Sequence, residues 1–536
     1  MSIFSREWSL PCWLLNSVLM VAIVLCSPLL LIVLLALQVH RQIVKTLLIK
    51  TYGASFRGLL EGMDVVWAVQ ANSSKAMTNV LILFDKKSSI NASNEISLML
   101  RKRIENHLKA GAYEKMFWQR RVQWGYYYWI QNHTISFEHH VRRLDTLPNT
   151  KSMSRQDLCR LIGSISTREC IENGSWEILI GTQPVYYRQG EASMIPVLFR
   201  YHHSIADGVA MFRLLCNDLL DNDQVAMQQF YQDDEANAFH SDKDSVNQPS
   251  IKSSVNWRKL WQVIFTAPRF LIHEILFKRE ENIFYGPKPS EHKVTYWVHD
   301  GSHNEQNMIM PSMINTIKQV KGLVKGCSFG DVFLLAFAMS LRNHCERRMA
   351  KIPPCLTIGI MRRFEQESKF VRLHNRSSPV FQTLPVGCLP IPQSPHNIPE
   401  LLALLQCLKK ESDAVLASAN ALTTYWSLSY LPVLLPVPVM RIIFARSKFS
   451  IAFSNIPALE KNVSVGGFDL VDACFWVPNT EGNLFGLTLL TTDGRLHIGA
   501  IADRVIIDGE EELETILNDI VSELRNFAQI VNSKIL

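Results

Sequence analysis

From Trp8 to Val39 the chain carries no Asp, Glu, Lys, Arg or His, an unbroken stretch of 32 residues that ends in LLLIVLLALQV. A helix needs about 20 apolar residues to cross the hydrocarbon core of a bilayer. A secretory signal has an apolar centre of only about 7–15 residues, followed by a small-residue cleavage site. The stretch is too long and too bulky for the second, so residues 1–45 read as an uncleaved membrane anchor. Pro28, in its middle, is expected to kink the helix or turn it into a shallow hairpin. Arg41, Lys45, Lys50 and Arg57 follow the stretch, whereas only Arg6, beside Glu7, precedes it. That bias places the body of the protein in the cytosol, on the endoplasmic reticulum or, alternatively, the plasma membrane. Asn-x-Ser/Thr tripeptides at Asn72, Asn91, Asn132, Asn173, Asn375 and Asn462 point to the lumen, but such short motifs arise readily by chance.

The remaining length is enough for two cores, since a single core stops growing near 250–300 residues. With 47% hydrophobic and 19% charged residues, the chain can offset its ordering entropy by burial, and disorder is excluded for most of it. A formal charge of +6, dispersed along the chain, gives no reason to expect a nucleic-acid partner. Eleven Cys without a CxxC pair suggest neither a disulfide scaffold nor a structural zinc, and no metal site is expected.

Residues 46–225 read as one mixed α/β half. MTNVLILFD (77–85) and IPVLFRY (195–201) have the pattern of strands, and ISLMLRKRIENHL (96–108) that of a helix. Val209, Phe212, Leu215 and Leu219 recur at helical spacing. A polar composition then marks a linker, placed at 226–291. The second α/β half, 292–536, holds a hairpin at 484–501 with Asp493-Gly494 as its turn. It closes with an amphipathic helix bearing Leu513, Ile516, Leu517, Ile520, Val521, Leu524 and Phe527 on one face. Asp508 is expected to cap that helix together with Glu511. Residues 414–440 are uncharged and include Pro432, Pro436 and Pro438. They read as a buried helix followed by an extended connection, or as a second contact with the bilayer surface.

The most informative segment is His202-His203-Ser204-Ile205-Ala206-Asp207-Gly208, where a strand hands over to a helix. A His-His-x-x-x-Asp-Gly pattern arises by chance about once in a thousand chains of this length. The arrangement can aim an imidazole into a cleft while Asp207 braces the turn and Gly208 permits close backbone approach. Read as residues alone, the histidines could also be satisfied polar groups at a strand end or metal ligands. The rest of the chain offers no matching ligand cluster, and no Gly-x-Ser-x-Gly elbow for a serine hydrolase.

HHSIADG resembles the motif of the HHxxxDG acyltransferases, and the chain from about residue 60 onward is similar to the wax ester synthase/diacylglycerol acyltransferase family. GMDVVWAVQ (62–70) resembles that family's opening segment, and SWEI (175–178) its Pro-Leu-Trp-Glu element. LHNRSSPVFQTLPVG (373–387) resembles the Gly-Asn…Leu-Pro stretch, SNIP (454–457) the Ser-Asn-Val-Pro, and 479–503 the closing strands. The family's Asn-Asp-Val stands here as Gly330-Asp331-Val332, and the Pro-Leu before Trp176 is missing. Plant-type relatives carry an Asp-Phe-Gly-Trp-Gly loop that NLFGL (483–487) does not match. Peptide-synthetase condensation domains share the His motif in multi-module chains.

The resemblance implies an α/β (α+β) fold of two chloramphenicol-acetyltransferase-like halves with the active-site tunnel between them. It implies a membrane-bound O-acyltransferase that moves a fatty acyl group from acyl-CoA to a long-chain alcohol or diacylglycerol, with acyl-CoA as co-substrate and no cofactor. The second histidine, His203, would be the general base, His202 a loop-orienting neighbour, and Asp207 a brace held by an arginine. Gly208, Ser454 and Asn455 would line the substrate site. Another acyl acceptor, or an inactive membrane-anchored lipid-binding protein, are the competing readings.

Overall fold

The computed structural model describes residues 12–69, 76–87, 89–109, 113–131, 137–148, 150–170, 174–186, 193–221, 257–273, 282–285, 290–299, 312–364, 373–444, 449–459, 463–492 and 494–533. The chain enters through a 41-residue helix, Cys12–Tyr52, about 60 Å long at 1.5 Å per residue. Its apolar portion lies outside the protein and is long enough to cross a membrane. The helix runs through Pro28 without a break, so the hairpin alternative does not form. Proline cannot donate to the carbonyl four residues back; that carbonyl, Val24, accepts instead from Ser27 Oγ at 2.7 Å. At its far end the helix is fixed to the body. Val44 and Leu48 are buried against Leu59, Tyr126, Tyr128 and Ile130 of a three-stranded sheet, Phe56–Leu59, Tyr126–Gln131 and Trp118–Gln123.

Two larger sheets form the body. The first has the order Ser464–Val465, Phe468–Trp476, Met77–Asp85, Met194–His202, Trp176–Ile180, Val141–Arg143, with two short strands beside it. The second has the order Lys293–His299, Arg495–Asp503, Phe485–Thr492, Ile451–Leu459, Cys355–Arg363, Ser377–Pro385. The halves are not closed in sequence. Phe468–Trp476 leaves the second half and pairs antiparallel with Met77–Asp85, Cys474 opposite Leu81. Ile451–Leu459 is parallel to both of its neighbours, which requires long crossovers. One of them is the helical run Ile398–Ala417, Asn420–Leu434 and Val437–Phe444. A continuous core joins the halves: Leu158, Ile162 and Leu198 cluster with Trp297, Phe337 and Leu517. Packing there is close enough that a Cβ on Gly163 would lie 2.5 Å from the Lys293 carbonyl oxygen.

The strand at 77–85 and the hairpin form as expected, with Thr492 paired to Arg495 and Gly494 at φ +71°; Asp493 lies outside the described residues. The seven apolar positions expected on one face of the last helix, Glu510–Asn532, are all buried. Its N-cap is Gly509 rather than Asp508, whose backbone amide instead donates to Glu512 at 2.7 Å. The prolines do not produce an extended connection after 434. Pro436 precedes and Pro438 opens the helix Val437–Phe444, where a missing N–H costs nothing in the first turn. Of the 226–291 linker, the described part includes a helix, Trp257–Ile272.

Candidate active site

The strand Met194–His202 is buried along its whole length and delivers the motif to its end. The two histidine amides are then pinned: His202 N–H donates to Ser175 O at 2.7 Å and His203 N–H to Ala76 O at 2.8 Å. Asp207 is the N-cap of the helix Gly208–Leu214 and accepts from Ala210 N–H through Oδ1 at 3.0 Å. Its other oxygen accepts from the Arg376 backbone N–H at 3.0 Å and the Ser377 hydroxyl at 2.8 Å. Asp207 thus ties the turn to a backbone amide and a serine of the second half. Gly208 allows the helix to start against the opposite half, since a Cβ there would meet Ile456 Cδ1 at 3.1 Å.

His203 is buried, and its Nδ1 lies 2.9 Å from Asn375 Oδ1. The orientation of that amide is fixed by its other end. Asn375 Nδ2 donates to Asp64 Oδ1 at 2.8 Å and to the His203 carbonyl at 2.7 Å, both of which only accept. Oδ1 therefore faces the imidazole, Nδ1 carries the proton, and Nε2 keeps the lone pair. The second Asp64 oxygen meets the buried Lys115 Nζ at 2.5 Å, which also donates to Leu373 O at 2.9 Å. Trp67 stacks on the imidazole, ring centres 4.0 Å apart and 22° from parallel. Asp64 and Trp67 lie three residues apart on the helix Met63–Ala68, so one short helix holds the histidine from two sides. Burial pushes the His203 imidazole below its ordinary value, against the opposing charge of Asp207. It is neutral at pH 7 and able to accept a proton.

His202 is arranged differently. Its ring nitrogens lie 2.8 Å from an Arg120 guanidinium nitrogen, and Nδ1 lies 2.8 Å from Ser204 Oγ. Burial and then the Arg120 charge hold it well below the usual histidine range. It packs the turn behind His203.

A mostly apolar cavity of about 540 Å³ lies between the halves. Trp67, His203, Asp207 and Gly208 enter its wall from the first half, Ser454 and Asn455 from the second. All but His202 of the six residues picked from sequence thus share one cavity. Lys318, Lys321, Arg362 and Arg363 also line it. So do Gly330 and Asp331; Asp331 forms a capping box with Ser328 and accepts from the Ser412 hydroxyl. The Trp-Glu element has a role in the core: Trp176 stacks on His140 at 4.4 Å, and Glu177 pairs with Arg200 and Arg142.

Asp64, Trp67, Lys115 and Asn375 were not singled out in the sequence, although three of them sit in the quoted segments 62–70 and 373–387. Asn375 also opens a glycosylation tripeptide, but its half-buried amide is already bonded to Asp64 and to the His203 carbonyl.

Residues 386–527 match the family model of the WS/DGAT C-terminal domain. No curated protein sequence matches the chain. Among solved structures it is similar to the wax ester synthase/diacylglycerol acyltransferase from Marinobacter aquaeolei, with a TM-score of 0.55 and 13% identity over 88% of this chain and 99% of that one. The trichothecene 15-O-acetyltransferase from Fusarium sporotrichioides also gives 0.55, at 11% identity over 88% and 94%. The epimerization domain from the third module of tyrocidine synthetase B gives 0.50, at 11% identity over 90% and 99%. These likenesses establish the two-half, chloramphenicol-acetyltransferase-like fold. Residues 386–527 thus match the WS/DGAT C-terminal domain, on a chain whose fold is similar throughout to that of a wax ester synthase/diacylglycerol acyltransferase.

Proposed function

We propose that the protein is a membrane-bound O-acyltransferase that transfers a fatty acyl group from acyl-CoA to a long-chain alcohol, a diacylglycerol or both. The observation that carries this reading is the neutral His203, held by Asn375 with Nε2 as its basic nitrogen, in the wall of a largely apolar cavity shared by both halves. As the acceptor oxygen attacks the thioester carbonyl, His203 Nε2 takes the hydroxyl proton. The tetrahedral intermediate then expels the thiolate, the carbon–sulfur bond breaks, and the imidazolium returns its proton to sulfur. The products are an ester and free CoA, with His203 restored. General base catalysis of this kind is worth about 10²–10⁴ in rate.

Ser454 and Asn455 supply the donors facing the developing oxyanion. Lys318, Lys321, Arg362 and Arg363 bring positive charge to the cavity, which suits the phosphates of acyl-CoA. His202 and Asp207 act through position: one packs the turn, the other ties it to Arg376 and Ser377. The anchor lies in the endoplasmic reticulum membrane and the body faces the cytosol, where acyl-CoA is available.

Microsomes containing the full chain, given labelled acyl-CoA with a panel of alcohols, diacylglycerol and sterols, test the reading. Ester formation with long-chain alcohol or diacylglycerol is expected, and His203→Ala should reduce it by about 10²–10⁴ at unchanged expression. A purified variant that kept more than about a tenth of the activity would remove His203 from the role of base.

A further inference from the structure

The helix Trp257–Ile272 turns Trp257, Trp261, Ile264 and Phe265 outward along one face, with Trp257 and Trp261 67% and 65% exposed. Such a face on a helix with basic residues is the signature of a segment lying in the bilayer interface. Two neighbouring helices continue it. Tyr430 of Asn420–Leu434 is 69% exposed and Ile442 of Val437–Phe444 is 85% exposed. Each of the three helices also sends residues into the cavity wall: Phe270 and Leu271, Leu428 and Leu431, Ile443 and Phe444. They therefore separate the cavity from an apolar outer surface by a single layer.

The anchor helix sets the height of that surface. Its uncharged stretch ends at Val39, and the first cation is Arg41, which marks where the hydrocarbon layer gives way to water. At that level the Tyr126 hydroxyl reaches both Leu37 O of the anchor, at 3.4 Å, and Leu434 O, at 3.1 Å. The C-terminal end of Asn420–Leu434 is thereby held at the membrane boundary, and Trp257–Ile272 packs against both that helix and the anchor.

We propose that these three helices sit in the bilayer surface and form a portal, through which an acyl acceptor dissolved in the membrane enters the cavity sideways without crossing water. The proposal rests on the acyltransferase reading for the identity of the cargo, and on the geometry alone for the contact with lipid. It commits 414–440 to membrane contact, while leaving Thr423, Thr424 and Tyr425 buried in the protein.

The test uses the full chain in phosphatidylcholine vesicles, with Trp261→Glu and Ile442→Glu combined; neither residue lines the cavity, and the anchor keeps the variant on the vesicle. Transfer to hexadecanol dissolved in the bilayer should fall about tenfold or more, through a raised apparent KM. Transfer to water-soluble hexanol should stay close to wild type. Equal loss on both acceptors, or no loss on either, overturns the portal. Quenching by phosphatidylcholine brominated on its acyl chains reads the contact without any catalysis. Trp257→Phe with Trp261→Phe should remove a large part of the quenched fluorescence, and an unchanged quenched amplitude overturns the proposal. If the wild type transfers to neither alcohol while this quenching is seen, the acyltransferase reading has failed and the lipid contact stands.

Discussion

Asn375 Oδ1 accepts from His203 Nδ1 at 2.9 Å while the same side chain donates to the carbonyl of His203 at 2.7 Å. One amide thus fixes both the ring and the backbone of the residue it serves, and Asp64 fixes the amide. The tautomer follows from this geometry, because a ring nitrogen facing an acceptor must carry the proton.

Asn375→Ala is expected to lower kcat by about 10²-fold, the scale of a misplaced catalytic group, with little change in KM. The hydrogen bond that His203 donates to Asn375 raises the His203 value, so its loss moves the acid limb of the pH profile to lower pH. Asn375→Asp brings a negative charge instead and should move the limb upward, although a carboxylate beside Asp64 costs stability. Shifts in opposite directions distinguish positioning from a general loss of structure. If both variants left the limb where it was, Asn375 would have no hold on the imidazole.

Asp207→Asn should destabilise the protein as well as slow it. The carboxylate receives three donors, from Ala210, Arg376 and Ser377, and an amide must turn its NH₂ toward at least one of them. An unsatisfied buried donor costs about 1–3 kcal/mol, readable as a lower Tm. The defect should appear where the halves meet, as faster hydrogen exchange at both 207–214 and 374–378. An unchanged Tm with lost activity would give the carboxylate a direct part in the chemistry.

How much of this was legible depends on range. The strands Met77–Asp85 and Met194–His202 follow from short apolar runs that mark strands buried on both faces, and the last helix from a period of 3.6 that buries one face. The partner of a strand leaves no such mark, so nothing in FDLVDACFW (468–476) says that it completes the other half's sheet. The site divides in the same way. His203, Asp207 and Gly208 lie within one turn, while Asp64 and Asn375 are 311 residues apart and meet only when the halves close. Arg376 and Ser377 likewise reach Asp207 from 169 and 170 residues away, so the partners that tie the motif down are not written in the motif.

The pH dependence of activity and of stability should agree in sign. Catalysis requires neutral His203, and burial lowers its value below 6.5. The acid limb of kcat/KM is therefore expected below pH 6.5. His202 and His203 are held down by burial, and His344 is pushed down to about 4 by the same cause. Each binds its proton more readily unfolded than folded, so the stability they contribute is complete above about 6.5 and is lost as pH falls. A Tm that rose on acidification from pH 7 to 5 would contradict the burial of these rings.

Topology is the last expectation, and the structure narrows it. Asn375 is committed to Asp64 and His203, so a glycan there is incompatible with the folded site. Asn91, at the surface, is the exposed tripeptide among the described residues; those at Asn72, Asn132, Asn173 and Asn462 fall outside them. With the body in the cytosol, as Arg41, Lys45, Lys50 and Arg57 indicate, the full chain should resist alkaline extraction and show no mobility change with glycosidase. A thiol pair gives an independent reading. Cys355 Sγ and Cys388 Sγ lie 3.1 Å apart as free thiols, a separation that an oxidising lumen would convert to a disulfide. Both should be alkylated by a membrane-permeant maleimide in cells quenched without reduction. A glycosidase shift abolished by Asn91→Gln, together with protection of the two cysteines, would put the body in the lumen. Acyl-CoA would then lie across the membrane from His203, and the donor would have to be a lipid ester instead.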